Sequence, residues 1–225
     1  MITYNDLTST IFDTCFFENP ASSFTLSEKQ NASDKLNRVN FSLSGTAINI
    51  RNEILSKTSE GYRKIDESFS FRKDCDGLVL VDKGEKHYLV FIELKSGFGE
   101  VANKAIFQIA SSYIRFKHYL SSIAAYNPSD YQEIGIIISY PYRAEIGDRE
   151  VLDRRNGLLN SAYSSFINRC KNEFKKGNSI LINSSDFEVD KMNLSSNLQI
   201  NNLKVVNIQV ADGATIANVD LDNYL

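Results

Sequence analysis

Asp76-Gly77-Leu78-Val79-Leu80-Val81 and Val90-Phe91-Ile92-Glu93-Leu94-Lys95 are two apolar runs joined across Lys83-Gly84-Glu85-Lys86. Each reads as a strand, and Gly84 supplies the positive φ that a tight hairpin turn requires. A hairpin closed there lays the start of the first strand beside the end of the second, so Asp76 comes level with Glu93. Side chains alternate along the second strand: Val90, Ile92 and Leu94 point one way, and Phe91, Glu93 and Lys95 the other. Glu93 and Lys95 therefore share a face.

Two neighbouring carboxylates suit a hard divalent cation. Asp76, Glu93 and the main-chain carbonyl of Leu94 would make an oxygen cage for Mg²⁺, which takes few protein ligands and keeps several waters, and Mn²⁺ should substitute. A metal held there would polarise a phosphate and lower the pKa of a bound water, while the Lys95 ammonium would orient that water and balance transition-state charge. This chemistry needs neither His nor Cys. A plainer account of the triplet is a Glu and a Lys that solubilise an edge strand, since alternation alone places polar residues two apart.

Asp76 together with Glu93-Leu94-Lys95 resembles the PD-(D/E)XK phosphodiesterase superfamily, whose fold is restriction-endonuclease-like. The Glu-x-Lys triplet matches fully, and Cys75 stands in place of the usual Pro before Asp76. The flanking patterns run in the order expected of that superfamily. Residues 47–57 read as a helix with Ile50, Ile54 and Leu55 inward, and 64–71 alternate as a strand through Ile65, Glu67, Phe69 and Phe71. The two motif strands follow. A periodic segment over 100–120 reads as a helix, and 132–140, with Ile134-Gly-Ile-Ile-Ile138, as a buried strand ended by Pro141. The resulting αβββαβ order spans roughly residues 46–140.

The resemblance implies further site residues. On the 100–120 helix, Lys104, Gln108, Ser111 and Arg115 form one polar stripe, opposite Ala105, Ile109, Tyr113, Phe116 and Leu120. Such a stripe is ordinarily a solvated face, but superfamily members carry a Gln or Lys there that points into the site, which nominates Gln108 as catalytic. Ser112 rather than Tyr occupies the position of the Gln-x-x-x-Tyr variant. Glu53, beside Ile50, is nominated as a further metal ligand, with Glu60 and Glu67 as rivals and surface solvation as the ordinary role of all three.

Composition limits the alternatives. The 225 residues, 42% hydrophobic, suffice for one core, divided here into a decoration (1–45), a nuclease-like domain (46–182) and a tail (183–225). Three scattered cysteines suit a reducing compartment. The absence of a signal-like start or a bilayer-length apolar run points to the cytoplasm and away from membranes. His87 and His118 are too few and too far apart for zinc or Ser-His-Asp chemistry, and no phosphate-cradling glycine loop is present. A net charge of -3 and a pI near 5.5 exclude wholesale coating of nucleic acid. DNA contact would then be local, at Arg63-Lys64, Arg72-Lys73, Arg149 with Arg154-Arg155, or Arg169 with Lys171, Lys175 and Lys176, each otherwise a solvated patch.

The flanks read more loosely. Residues 23–26 and 39–43 suggest a hairpin, 148–176 an amphipathic helix and 180–182 a short strand. Residues 203–210 and 214–219 alternate as strands that could join the sheet, dock on another subunit or bind a partner. The reading as a whole is an α/β, restriction-endonuclease-like mixed sheet flanked by helices, with N- and C-terminal elaborations. The expected activity is Mg²⁺-dependent DNA endonuclease, as a homo-oligomer or beside a partner protein in a bacterial restriction or anti-phage system. The alternative is a catalytically silent binding or assembly module, and RNA remains a second substrate class.

Overall fold

The computed structural model describes residues 2–10, 12–27, 35–57, 62, 71–98, 101–142, 161–187, 189 and 192–225. Its architecture is mixed α/β, built on one sheet in the order β1-β2-β3-β4-β5-β7-β6, with β8 attached to β2. The strands are β1 (Ala21–Ser27), β2 (Arg38–Ile50), β3 (Gly77–Asp82), β4 (His87–Lys95), β5 (Tyr131–Ser139), β6 (Ile180–Ile182), β7 (Leu203–Gln209) and β8 (Ile216–Asp220). Helices are α1 (Tyr4–Thr8), α2 (Glu53–Ser56), α3 (Ile106–Leu120) and α4 (Ser161–Lys175).

The predicted motif hairpin is β3 and β4, antiparallel, with Gly77 opposite Ile92 and Asp82 opposite His87. Gly84 sits at φ 76° in its turn. The chain then crosses through α3 to β5, which runs parallel to β4 with Glu93 opposite Ile137, as a strand–helix–strand crossover requires. Both faces of this hairpin are covered. Leu78, Leu80, Leu89 and Phe91 face α3, where the Phe91 ring meets Tyr113 at 5.5 Å and Phe116 at 6.2 Å. Val79, Val81, Val90, Ile92 and Leu94 face the opposite layer.

That layer is made by the chain's own N- and C-terminal strands. The first part of β2 pairs with β1 (Phe24 opposite Phe41) and, in parallel, with β8 (Phe41 opposite Val219). On the edge that β8 occupies earlier, the last five residues of β2 pair with β3. Close packing against main chain demands glycine at Gly45, whereas a side chain at Gly77 would have to displace the end of Leu26. A Cβ on Gly45 would lie 2.1 Å from the Asp82 carbonyl oxygen, and one on Gly77 would lie 2.4 Å from Leu26 Cδ1. Leu26 and Phe24 thereby cover the back of the motif hairpin.

One expectation changes. Residues 47–50 are strand rather than helix: Thr46–Ile50 pair with β3, and only Glu53–Ser56 are helical. The 23–26/39–43 hairpin exists, as β1 and the first part of β2, and is continuous with the central sheet through β2. The strand expected at 64–71 lies outside the described residues except for Phe71, a buried turn residue. The helix over 100–120 is present, entered through a wide π-helical turn at Val101–Ala105. The 148–176 helix is described from Ser161 onward. Of the three places left open to the tail, the sheet is the one it takes, β7 lying parallel to β5 and β8 parallel to β2. Among the described residues no helix is long and apolar enough to cross a membrane.

Candidate active site

One residue beyond the Gly77–Ile92 pair, Asp76 stands beside Glu93, and the two are tied through their main chains. The Leu94 N–H donates to Asp76 Oδ2 at 2.8 Å, and the Asp76 N–H donates to Glu93 Oε2 at 3.2 Å. Lys95 Nζ is ion-paired with Glu93 Oε1. The sequence-predicted trio of Asp76, Glu93 and Lys95 is thus brought together at one end of the sheet, on the face that carries α3.

Burial gives this cluster its electrostatics. Glu93 is fully buried, while Asp76 and Lys95 are half-buried. Loss of solvent, followed by the charge of Asp76, holds the Glu93 carboxyl well above its ordinary pKa. Lys95 and the Asp76 N–H oppose that rise without cancelling it. A cation arriving beside Glu93 and Asp76 would reverse the sign of the local field.

The donor chemistry fits a hard divalent cation: two carboxylates and a nearby main-chain carbonyl, with water left to complete the shell. Among the described residues no group of three or more His, Cys, Asp or Glu side chains could hold a metal ion. Glu53, at the start of α2, therefore forms no three-carboxylate group with Asp76 and Glu93. Its rivals Glu60 and Glu67 lie outside the described residues. Cys75 is fully buried, with its thiol pKa pushed up by burial, so it packs rather than reacts.

The polar stripe on α3 is not a solvated face. Ser111 and Ser112 are fully buried and Arg115 is 1% exposed; Gln108 is half-buried and Lys104 exposed. Gln108 Nε2 donates to the main-chain carbonyl of Asp74 at 2.8 Å, two residues before Asp76. The Ser112 hydroxyl accepts the Cys75 N–H at 2.8 Å. Arg115 is ion-paired with the Asp74 carboxylate and donates to the carbonyls of Lys73 (2.7 Å) and Leu55 (3.2 Å). Burial lowers the Arg115 pKa to about 10, which leaves it charged at neutral pH. Asn52, just before α2, donates to the Cys75 carbonyl at 2.9 Å. Sequence reasoning missed Ser112 and Asn52, although the 108–112–115 spacing places three polar side chains along one helix face.

Several basic residues proposed for DNA contact have partners on the chain. Arg72 Nε donates to the Tyr62 carbonyl at 2.8 Å, Arg169 pairs with Asp186 at 3.3 Å, and Lys176 pairs with Glu173 at 2.8 Å. Arg63, Lys64, Arg149, Arg154 and Arg155 lie outside the described residues. No family model, curated protein or solved structure matches the chain.

Proposed function

We propose that the chain is a Mg²⁺-dependent phosphodiesterase of the PD-(D/E)XK kind, cutting DNA at the Asp76–Glu93–Lys95 cluster. The observation that carries this reading is a fully buried carboxylate, Glu93, set against a second one, Asp76, at a strand end. Placing like charges together in a low-dielectric site is unfavourable unless a cation neutralises them. The run of β3 and β4, then α3, then β5 supports a restriction-endonuclease-like core, since it repeats the ββαβ part of the expected order, with Asp76 directly before the first of these strands and Glu93 in the second.

Asp76 and Glu93, with the Leu94 carbonyl, would hold the ion. When bound, Mg²⁺ supplies Lewis acidity toward a phosphate and lowers the pKa of water. The chain's own contribution is orientation and charge. Glu93 fixes Lys95 through the ion pair, so the ammonium is held in place beside the carboxylates rather than sweeping through solvent. From there it hydrogen-bonds the attacking water and offsets the negative charge that grows on the phosphate oxygens. Buried strand neighbours hold Glu93 rigid, and the Leu94 N–H holds Asp76. The acidic balance of the chain leaves duplex binding to local contacts, to a second copy or to a partner protein, as in a restriction or anti-phage assembly.

The test is cleavage of supercoiled plasmid by the purified chain. Cleavage is expected with Mg²⁺ or Mn²⁺, none with EDTA, and a loss of at least about 10³-fold in Glu93→Ala and Asp76→Ala. Full activity in EDTA, or equal activity in the variants, would refute the reading.

A further inference from the structure

Among the described residues, the segment that delivers Asp76, 71–76, belongs to no strand, and β3 begins at Gly77. Its main chain is held instead by side chains. The Lys73 carbonyl accepts from Arg115, the Asp74 carbonyl from Gln108 and the Cys75 carbonyl from Asn52, while the Cys75 N–H donates to Ser112. Three of the four holders lie on α3 at positions 108, 112 and 115, one face of that helix. Hydrogen bonds with Leu94 N–H and Glu93 Oε2 fix Asp76 from the β4 side, and this clamp fixes it from the other.

Arg115 ties the clamp together. Its guanidinium joins three stretches of chain: Lys73 and Asp74 ahead of the site, Leu55 at the end of α2, and its own helix. It also lies 5.4 Å from the Tyr62 ring centroid. A buried guanidinium is a poor source of bulk stability, because its desolvation offsets most of what its bonds return. What a planar fork with several fixed donors supplies is geometry.

We infer that Arg115 is a positioning residue for Asp76, acting through the Asp74 carboxylate and the Lys73 carbonyl, with Gln108 and Ser112 completing the clamp. The inference rests on the reading of Asp76 and Glu93 as the reacting site. Arg115 touches neither substrate nor metal. It sets the separation of the two carboxylates, and a misplacement of about 1 Å at a reacting group can cost on the order of 10²-fold in rate. Lysine at 115 reaches Asp74 but cannot bridge Lys73 and Leu55 at the same time, so Arg115→Lys loosens the clamp while keeping the charge.

Two amides report directly on this geometry: Leu94 N–H ends on Asp76, and Asp76 N–H ends on Glu93. Hydrogen exchange of the full chain, read by NMR, should be at least tenfold faster at these two amides in Arg115→Lys, with Val90 and Ile136 unchanged. Mn²⁺ affinity should fall at least tenfold, and kcat about 10²-fold with little change in KM. Gln108→Ala, which deletes one bond to the Asp74 carbonyl, should show the same pattern more weakly and serves if Arg115→Lys does not fold. Phe116→Ala, which loosens the same helix away from the clamp, should speed exchange generally and spare kcat. Exchange at Asp76 and Leu94 that matches wild type, or rises by one common factor across the sheet, overturns the inference. Selective exchange in a protein whose wild type neither binds Mn²⁺ nor cleaves DNA would retain the clamp and remove the nuclease reading.

Discussion

The parallel strands β4 and β5 each aim a carboxylate at α3, toward opposite ends of the sheet, and the two surroundings differ in kind. Glu133, near the start of β5, is closed by complementary groups. Lys117 Nζ lies 2.6 Å from its Oε1, the Tyr113 hydroxyl donates to its Oε2 at 2.6 Å, and the same ammonium donates to the Tyr113 oxygen at 2.9 Å. Burial, and then Glu133, push the Tyr113 pKa up, so the hydroxyl stays protonated as a donor. Glu93, near the end of β4, has the Lys95 ammonium on one oxygen but a second carboxylate beside it. A charge-balanced cluster holds the scaffold together, whereas one crowded with negative charge is stable only when something positive joins it.

The largest effect expected from this contrast is on chemistry. Glu93→Ala should remove cleavage by at least about 10³-fold, while Glu133→Gln, which keeps the shape of the closed cluster, should cleave at close to the wild-type rate. Comparable losses in both would erase the distinction between site and scaffold.

Stability should move in opposite directions at the two places. Lys117→Met leaves Glu133 without its cation and should destabilise by about 3 kcal/mol, the cost of breaking a buried pair from one side. Asp76→Asn keeps an acceptor for the Leu94 N–H and relieves repulsion of Glu93, so the metal-free variant should melt above wild type. Thermal melts in EDTA check both, and a clear loss of stability in Asp76→Asn would contradict the electrostatic account.

A smaller, sharper effect is expected with pH. The Glu93 pKa is raised in the folded chain above its ordinary value, so the folded state binds this proton more tightly than the unfolded state does. The resulting stabilisation is full below the ordinary carboxylate range and is lost as pH rises through the raised value. In EDTA, Glu93→Gln should therefore gain melting temperature relative to wild type as pH increases, and saturating Mg²⁺ given to the wild type should narrow the gap. A difference that stays constant with pH would mean that Glu93 titrates normally.

The β3–β4 hairpin was legible because a short turn fixes its register, and that register alone sets Asp76 beside Glu93. Where register depends on distant chain, the sequence was silent or misleading. Ala47, Ile48, Asn49 and Ile50 are all buried, so β2 shows no alternation there, and Ile50 with Ile54 and Leu55 mimicked a helical face. The alternation of 203–209 marked a strand, but nothing local could place it against β5. The polar stripe on α3 looked solvated because its partners are main-chain groups at 73–75, whose route past the helix no pattern in those residues encodes. Gln108, nominated from the sequence as catalytic, donates to the Asp74 carbonyl.

The most direct test is calorimetric titration of Mn²⁺ into metal-free wild type, Asp76→Asn and Glu133→Gln. The account predicts saturable binding to wild type and Glu133→Gln and its loss in Asp76→Asn. Equal binding by all three, or no binding by a folded wild type, would contradict it.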